Sequence, residues 1–243
     1  NVELSPQRLI PESRGILYAD MATALSDTWS MGTYAYAKKQ ISIIPISTTH
    51  TFPSPVDKDI KLARTHFLWY GGGGVVLKGL DLLLVAFANM PHYTLTVCGK
   101  GGYEKDFVVA FKKELSAPNI HVVGHVDPGS SLFERLRMES IAMIHPSFSE
   151  GASGSVILAM HAGLIPIVSK ESSVHVNGFG IELKENTVSE ICKSVQEIAL
   201  APEEKLRDMT IKTWEYANNN HSRQTFKNNF RTYIERLEKN EKK

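Results

Sequence analysis

The stretch that decides the fold is IAMIHPSFSEGASGSVILAM, residues 141–160. It opens on a short apolar run, residues 141–144, which has the length of a buried strand. A loop of small and polar residues follows, and apolar residues then recur at helical spacing at Val156, Ile157 and Met160. Because glycine and serine clusters separate regular elements, the stretch predicts a strand, a loop and the start of a helix.

The loop of this unit, residues 146–155, is called the serine–glycine loop below. Its small residues let a ligand approach the backbone closely, and the free amides at a helix start attract phosphate. Its single carboxylate, Glu150, can accept hydrogen bonds from sugar hydroxyls. Phosphate and sugar recognition side by side indicates a nucleotide-sugar site. The alternative is a Glu150 that only stabilises the helix dipole, and Ser153 and Ser155 are common N-cap residues in any protein.

Outward from this unit, short apolar runs alternate with helical stretches from Phe67 onward. Apolar residues recur at a period near 3.6 in residues 80–87 and 107–115. Strands that alternate with helices of this length form βαβ units around a parallel sheet. The sequence therefore predicts an α/β fold with a Rossmann-like, doubly wound parallel sheet. Its strands are the runs at residues 67–70, 93–98, 120–123, 141–144 and 165–168.

Three loops are expected at one edge of this sheet, because each of them follows a strand. They are residues 71–78, residues 99–102 and the serine–glycine loop. In open parallel sheets, ligands bind at the carboxyl ends of the strands, where the strand order reverses. Three loops that meet at one edge indicate a ligand site more strongly than any single loop does.

The loop at residues 71–78, called the glycine loop below, joins a run of four glycines to Lys78 and Gly79 at a helix start. Exposed amides and a mobile lysine suit a phosphate. The loop is not a Walker A motif, in which Ser or Thr follows the lysine. It is a poor dinucleotide fingerprint, because Val76 replaces the third glycine and no ribose-binding acid follows the second strand. A flexible turn with a solvated lysine is the alternative.

The third strand ends in Gly124, His125 and Val126, whose backbone could contact a flat base. The alternative for His125 and Asp127 is ordinary turn chemistry. Four further histidines are interpreted as structural or surface residues: His66, His121, His145 and His161.

Composition narrows the class of protein. The chain has 243 residues, enough for one large or two small domains, and its net charge of +1 gives no argument for a nucleic-acid partner. No apolar run approaches the ~18 residues of a membrane span, and no Cys/His set has metal-ligand spacing.

Cys98 and Cys192 are expected to be free thiols in a reducing cytoplasm. The start at Asn1, with no signal-peptide pattern, suggests a fragment.

The two ends of the chain differ from the middle. Residues 16–25 and 33–39 have a helical or mixed pattern, residues 41–46 predict a strand, and residues 47–55 have the polar, proline-rich pattern of a linker. Two helices are expected after Pro202. The last part, residues 223–243, carries seven Lys/Arg against three Glu, which indicates a solvated helix face, with a membrane-surface patch as the alternative.

Taken together, these residues resemble the C-terminal, donor-binding half of the group 1 glycosyltransferases, which have the GT-B fold. The resemblance covers roughly residues 67–216. It rests on five blocks in a fixed order: residues 71–82, 95–99, 118–126, 146–151 and 159–168.

The resemblance also implies a domain organisation. Residues 1–50 would be a remnant of an N-terminal acceptor domain, and residues 51–60 an interdomain linker. Residues 61–222 would form the nucleotide-sugar donor domain, and residues 223–243 a helix that crosses back.

The same resemblance implies an activity and its site. A UDP-, GDP- or other nucleotide sugar would donate a hexosyl group, with retention of configuration, to a glycan or lipid-linked acceptor, in the cytoplasm or at its membrane surface. Lys78 would stabilise the departing diphosphate and Glu150 would bind sugar hydroxyls, with no metal or cofactor required. The remaining donor contacts would be Gly72, Gly73, Gly74, Gly99, Gly124, His125, Val126, Gly151, Ala152, Ser153, Gly154 and Ser155.

Two positions depart from the family pattern. Gly73 stands where an arginine is usual, and Leu158 where a second glutamate grips the ribose. Losing a charged hydrogen bond costs about 1.5–3 kcal/mol, so Glu171 or Ser172 would have to hold the ribose instead, or binding would be weak. The departures favour, as one alternative, a module that binds a nucleotide sugar without catalysis. An NAD-type oxidoreductase is a second alternative, disfavoured by the missing ribose-binding acid.

Overall fold

The computed structural model describes residues 15–26, 29–99 and 105–240. The described strands are β1 (Ala22–Ala24), β2 (Ile41–Ile43), β3 (His66–Gly71), β4 (Thr94–Gly99), β5 (Ile120–Gly124), β6 (Ala142–His145), β7 (Ile165–Ser169) and β8 (Ile181–Leu183). The described α-helices are α1 (Gly15–Tyr18), α2 (Trp29–Gly32), α3 (Ile60–Ala63), α4 (Leu80–Ala88), α5 (Lys105–Ala110), α6 (Lys112–Leu115), α7 (Ser131–Glu139), α8 (Gly154–His161), α9 (Val188–Leu200), α10 (Glu203–Asn220) and α11 (Arg223–Asn240). Short 3-10 turns lie at Ala35–Ala37, Pro55–Asp57 and Lys170–Ser172.

Strands β3 to β8 form one parallel sheet in the order β5-β4-β3-β6-β7-β8. The chain runs outward from β3 to β5, returns to the other side of β3, and runs outward again to β8. The neighbouring strands β3 and β6 therefore mark the point where the winding reverses. This topology confirms the predicted doubly wound α/β fold and places the switch in strand order between β3 and β6.

Two hydrophobic layers cover the two faces of this sheet. Because side chains alternate along a strand, Phe67 and Trp69 of β3 belong to one layer and Leu68 to the other. Helices α4 and α9 complete the first layer, and α7 and α8 with the end of α10 complete the second. The sheet is thus buried on both sides, as near-continuous apolar strands predict.

The five predicted strands are confirmed as β3 to β7, and the two helices after Pro202 are confirmed as α10 and α11. The single helix expected over residues 107–115 is instead two short helices, because Phe111 leaves helical geometry at φ −106° and ψ 22°. Strand β8 was missed, since its three residues include an exposed Glu182 and give no apolar run. The strand predicted at residues 41–46 is regular only over Ile41–Ile43.

The segment before β3, which the sequence predicts as a linker, packs against the second layer. Trp214 Nε1 on α10 donates a hydrogen bond to the Phe52 carbonyl at 2.8 Å, and the Phe52 ring lies 5.3 Å from the Phe133 ring. Lys58 is buried, and its ammonium donates to the carbonyls of Ser140 and Gly163 at 2.9 and 3.1 Å. The segment therefore has a fixed position on the sheet domain.

Cys98 is buried and Cys192 is partly buried, and both are free cysteines. Over the described residues, no helix is both long enough and apolar enough to cross a bilayer.

Candidate functional site

The glycine loop and the serine–glycine loop leave the sheet side by side, because they follow the neighbouring strands β3 and β6. They are bonded to each other. The Phe148 amide donates to the Leu77 carbonyl at 2.8 Å, and the Ser147 hydroxyl donates to the same oxygen at 3.2 Å. Gly79 fits closely against the second loop: a Cβ added there would lie 2.3 Å from the Pro146 oxygen. The two loops thus form one unit at the switch in strand order.

Lys78 is positioned by this unit. The Trp69 indole N–H donates to the Lys78 carbonyl at 3.3 Å, which holds the backbone of the glycine loop over β3. Gly79 adopts φ +69° and ends the loop directly before α4. A residue with a side chain is strained in this conformation, so glycine is required at this turn.

The Lys78 ammonium donates a hydrogen bond to Glu150 Oε1, in an ion pair that joins the two loops. The two side chains are 19% and 17% exposed, so both reach solvent and a ligand could touch them. The sequence predicts both residues for the site, and the fold brings them into contact across 72 residues of chain.

His145, the last residue of β6, is the third member of this cluster. Its ring is fully buried and its Nε2 lies 3.4 Å from Glu150 Oε1, the oxygen that also accepts from Lys78. The sequence predicts a structural or surface role for His145 and does not reveal this contact. Its place directly after an apolar strand, at the edge where ligands bind, was the available signal.

The cluster fixes the charge of Glu150. Burial acts to raise the pKa of its carboxyl, but hydrogen bonds from His145 and Lys78 and the Lys78 charge outweigh it and hold the pKa below its usual value. Burial lowers the pKa of His145, and the Lys78 charge adds to the effect, so its ring is neutral near neutral pH. Glu150 is therefore a carboxylate whose Oε1 is engaged, and in the described chain its Oε2 has no hydrogen-bond partner.

Helix α8 begins at the end of the serine–glycine loop. Ser153 occupies the N-cap position, but its hydroxyl makes no capping bond and, within the described residues, is buried without a partner. The amides of Gly154 and Ser155 lie in the first turn, where amides have no intrahelical acceptor. Gly151 and Gly154 are exposed, and Ala152 is partly buried. These backbone groups can therefore receive an anion.

The segment at Lys170–Ser172 braces the serine–glycine loop from behind. The Ser172 carbonyl accepts from the Ser153 amide at 3.1 Å, and the Ser172 hydroxyl is buried and donates to the His145 carbonyl at 3.0 Å. Ser172 is therefore not available to hold a ribose. The sequence-based expectation that Ser172 could replace the missing glutamate is wrong. Glu171 Oε1 lies 3.9 Å from the Lys170 ammonium.

The other predicted site residues extend along the same sheet edge. Gly72, Gly73 and Gly74 form the outer part of the glycine loop, and Gly99 ends β4 in register with Gly71 of β3. Residues 100–102 of the third predicted loop lie outside the described residues. Gly124 ends β5, His125 is exposed, and the buried Val126 accepts a hydrogen bond from the Tyr70 hydroxyl at 2.8 Å.

Openings in the described part of the chain reach this edge. A cleft of about 600 Å³ separates Ser149, Glu150 and Gly151 from the N-terminal elements, with Trp29 and Tyr34 on its far wall. A second pocket of about 400 Å³ lies between residues 47–50 and the start of α8, with Leu158 in its wall. Glu150 therefore faces the first opening and the first-turn residues of α8 face the second.

The sequence matches the model of a known family. The sequence model of glycosyl transferases group 1 matches residues 67–213, which is more than half of the chain. A comparison with curated protein sequences finds no significant match.

Several solved structures have a similar fold. HepE of Anabaena, solved with UDP and glucose, is 14% identical with a TM-score of 0.72, covering 92% of this chain and 67% of that one. Sucrose-phosphate synthase of Thermosynechococcus elongatus is 17% identical with a TM-score of 0.76, covering 97% and 62%. A glycosyltransferase of Rickettsia africae is 15% identical with a TM-score of 0.71, covering 91% and 64%. The chain thus spans about two thirds of the length of these structures, and at these identities the likeness establishes the fold.

Proposed function

Because the chain belongs to the group 1 glycosyl transferases, we propose that it serves the transfer of a hexosyl group from a nucleoside-diphosphate sugar to an acceptor hydroxyl, with retention of configuration. The observation that carries this proposal is the Lys78–Glu150 pair at the switch in strand order, next to the free amides of α8. The cation and the backbone donors suit the oxygens of the diphosphate, and the carboxylate suits the hydroxyls of the sugar.

Lys78 would act on the leaving group. As the bond from the anomeric carbon to the phosphate oxygen breaks, its electron pair stays on the diphosphate, and fixed positive charge there lowers the barrier. The three N–H donors of a lysine let Lys78 hold Glu150 and a phosphate oxygen at the same time. Lysine and the α8 amides supply this positive charge without a metal.

Glu150 would bind the sugar. Its free Oε2 can accept hydrogen bonds from the sugar hydroxyls, while Lys78 and His145 keep Oε1 in place. Its Oε1 is bound by Lys78 and His145 and its Oε2 by the sugar in this proposal, so it is poorly suited to take the acceptor proton as an inverting enzyme requires. This supports retention, with the acceptor proton passing to the departing phosphate oxygen.

The acceptor would enter through the 600 Å³ cleft. Its far wall carries the partly exposed aromatic rings of Trp29 and Tyr34, which suit the apolar faces of a sugar. This supports a glycan or lipid-linked acceptor on the side of the N-terminal elements. The free thiols of Cys98 and Cys192 support a cytoplasmic location, since such thiols persist in a reducing compartment.

Calorimetric titration of UDP, GDP and their sugars into the whole chain tests the proposal. Lys78→Ala should weaken binding of the diphosphate about 10- to 100-fold, because a charged hydrogen bond contributes ~1.5–3 kcal/mol. Glu150→Ala should weaken binding of the nucleotide sugar more than that of the free diphosphate. Lys193→Ala and Glu197→Ala, both exposed on α9, are the matched controls. Equal binding by the wild type and both site variants would exclude this site.

A second candidate is a module that binds the donor without turning it over. Leu158 favours it, because an aliphatic side chain in the wall of the second pocket offers no hydrogen bond to a ligand hydroxyl. Binding that depends on Lys78 and Glu150, with no sugar released from any donor in the presence of acceptor glycans, would support this candidate.

A further inference from the structure

The second pocket, next to α8, has two chemically different walls. On the helix side stand Leu158, which is 7% exposed, and the first-turn residues Gly154 and Ser155. The facing wall is residues 47–50, Ser-Thr-Thr-His, called the polar segment below. A hydroxyl-bearing ligand in this pocket can obtain side-chain hydrogen bonds from the polar segment but none from Leu158.

The polar segment is held at both ends. The His221 ring donates from Nδ1 to the Ile46 carbonyl at 2.9 Å, and Trp214 donates to the Phe52 carbonyl at 2.8 Å. Both donors belong to the α10 region that packs on the sheet. The segment between these two anchors is therefore positioned before a ligand arrives, and less ordering is needed on binding.

Bonds within the segment orient His50. The Thr48 hydroxyl oxygen accepts from the His50 amide at 3.2 Å, and the Thr49 hydroxyl lies 3.0 Å from His50 Nδ1. Over the described residues, His50 Nε2 and the Ser47 hydroxyl make no hydrogen bond. Two polar groups of the segment thus stay available to a ligand.

The pocket lies between the two ends of the proposed nucleotide site. On the phosphate side it includes the first turn of α8. On the base side it includes Tyr70, which donates to the Val126 carbonyl, and His50 Nε2 lies 3.7 Å from the place of a Cβ on Gly129. In a nucleotide, the group between phosphate and base is the ribose.

We infer that the polar segment binds the ribose hydroxyls of the donor, through His50 Nε2 and the Ser47 hydroxyl, across the pocket from Leu158. This inference rests on the proposed binding of a nucleoside-diphosphate sugar. It assigns ribose recognition to residues outside the sheet domain. It also explains how the site can bind a ribonucleotide although its helix carries Leu158. Hydrogen-bonding groups on the facing wall take the place of a carboxylate.

The test is calorimetric titration of the whole chain with UDP or GDP, whichever binds more tightly, and with the 2′-deoxy and 3′-deoxy forms of the same nucleotide. His50→Ala and Ser47→Ala should each weaken binding of the ribonucleotide roughly 5- to 10-fold, the effect of one neutral hydrogen bond. Each variant should bind at least one deoxy form as well as the wild type does, because the hydroxyl that the missing side chain contacted is already gone from that form.

Matched controls separate this role from a structural one. His92 is exposed before β4, at the opposite edge of the sheet, and Ser189 is exposed on α9, so His92→Ala and Ser189→Ala should leave every affinity unchanged. Thermal unfolding checks that the variants are folded. Equal losses for the ribonucleotide and both deoxy forms would overturn the inference, because they indicate displacement of the segment.

The remaining outcomes separate the inference from the proposed function. Binding that requires Lys78 but is unchanged in His50→Ala and Ser47→Ala overturns the inference and leaves the proposed function standing. No binding of any nucleoside diphosphate by the wild type overturns both.

Discussion

Lys58 illustrates how a single side chain can make stability depend on pH. It is 1% exposed, and its Nζ donates to two backbone carbonyls, those of Ser140 and Gly163. Burial, helped by the charge of Arg137, lowers the pKa of Lys58 to about 7. The unfolded chain, with an ordinary lysine pKa, therefore binds more protons than the folded chain between about pH 7 and pH 10.5.

Stability contributed by Lys58 should therefore rise with pH in that window. We expect the free energy of unfolding of the wild type, relative to Lys58→Met, to increase by roughly 1 kcal/mol per pH unit from pH 7.5 to pH 9.5. Urea denaturation at several pH values measures this difference. Taking the difference between the two proteins cancels the titration of Tyr70 and Cys98, which both share. Parallel curves would contradict the lowered pKa of Lys58.

Also at the residue scale, His145 connects Glu150 of the candidate site to the buried sheet. Its Nε2 contacts Glu150, and its carbonyl accepts from the Ser172 hydroxyl. The ring is thus placed by β6 and the segment after β7, and it in turn places the carboxylate. This makes His145 a positioning residue for Glu150, because its complete burial keeps it from touching a ligand directly.

At the scale of elements, the junction between the glycine loop and α4 depends on Gly79. Its φ of +69° and the 2.3 Å approach of an added Cβ to the Pro146 oxygen leave no room for a side chain. We expect Gly79→Ala to destabilise the chain by about 2 kcal/mol or more and to weaken binding of a nucleoside diphosphate, because the two loops must separate.

Gly73→Ala is the matched control, since an added Cβ there has no neighbour within 4 Å. It should change the free energy of unfolding by less than about 0.5 kcal/mol. Thermal unfolding of both variants measures the effect on stability, and calorimetry on Gly79→Ala measures the loss of binding. Equal losses of stability at the two glycines would mean that the close contact between the loops does not stabilise the fold.

At the scale of the whole molecule, the two C-terminal helices contribute differently. Helix α10 buries Leu206, Thr210, Thr213 and Ala217, whereas no residue from 223 to 239 is buried. We expect a chain ending at residue 222 to keep its fold, with little change in the midpoint of thermal unfolding. A chain ending at residue 202 should not fold, because it loses one wall of the second hydrophobic layer.

Circular dichroism and thermal unfolding of the two truncated chains measure this difference. The result also tests the predicted domain boundary at residue 222. A large loss of stability on removal of residues 223–243 would show that α11 supports the sheet domain and would move that boundary.

Much of the fold could be predicted because the spacing of apolar residues along the chain indicates each strand and helix. Apolar runs marked β3 to β7, and helical spacing marked α4, since each buried strand and each amphipathic helix has its own period. The sequence pattern predicts one helix over residues 107–115 but not the break at Phe111 that divides it into α5 and α6. It also does not predict β8, because a three-residue edge strand leaves no periodic signal. For the candidate site, loop composition predicts Lys78 and Glu150. His145 is indicated only by its place at the end of β6, and His50 has no local signature.

The sequence by itself determined the class of fold, the loops at the carboxyl ends of the strands, and the two charged residues of the candidate site. Only the tertiary structure decided which of these residues meet. The strand order sets β3 beside β6, so Lys78 contacts Glu150 and His145, and the packing of α10 brings the polar segment opposite Leu158. The physical reason is that periodicity depends on neighbouring residues, whereas contacts across 72 residues depend on how whole layers pack.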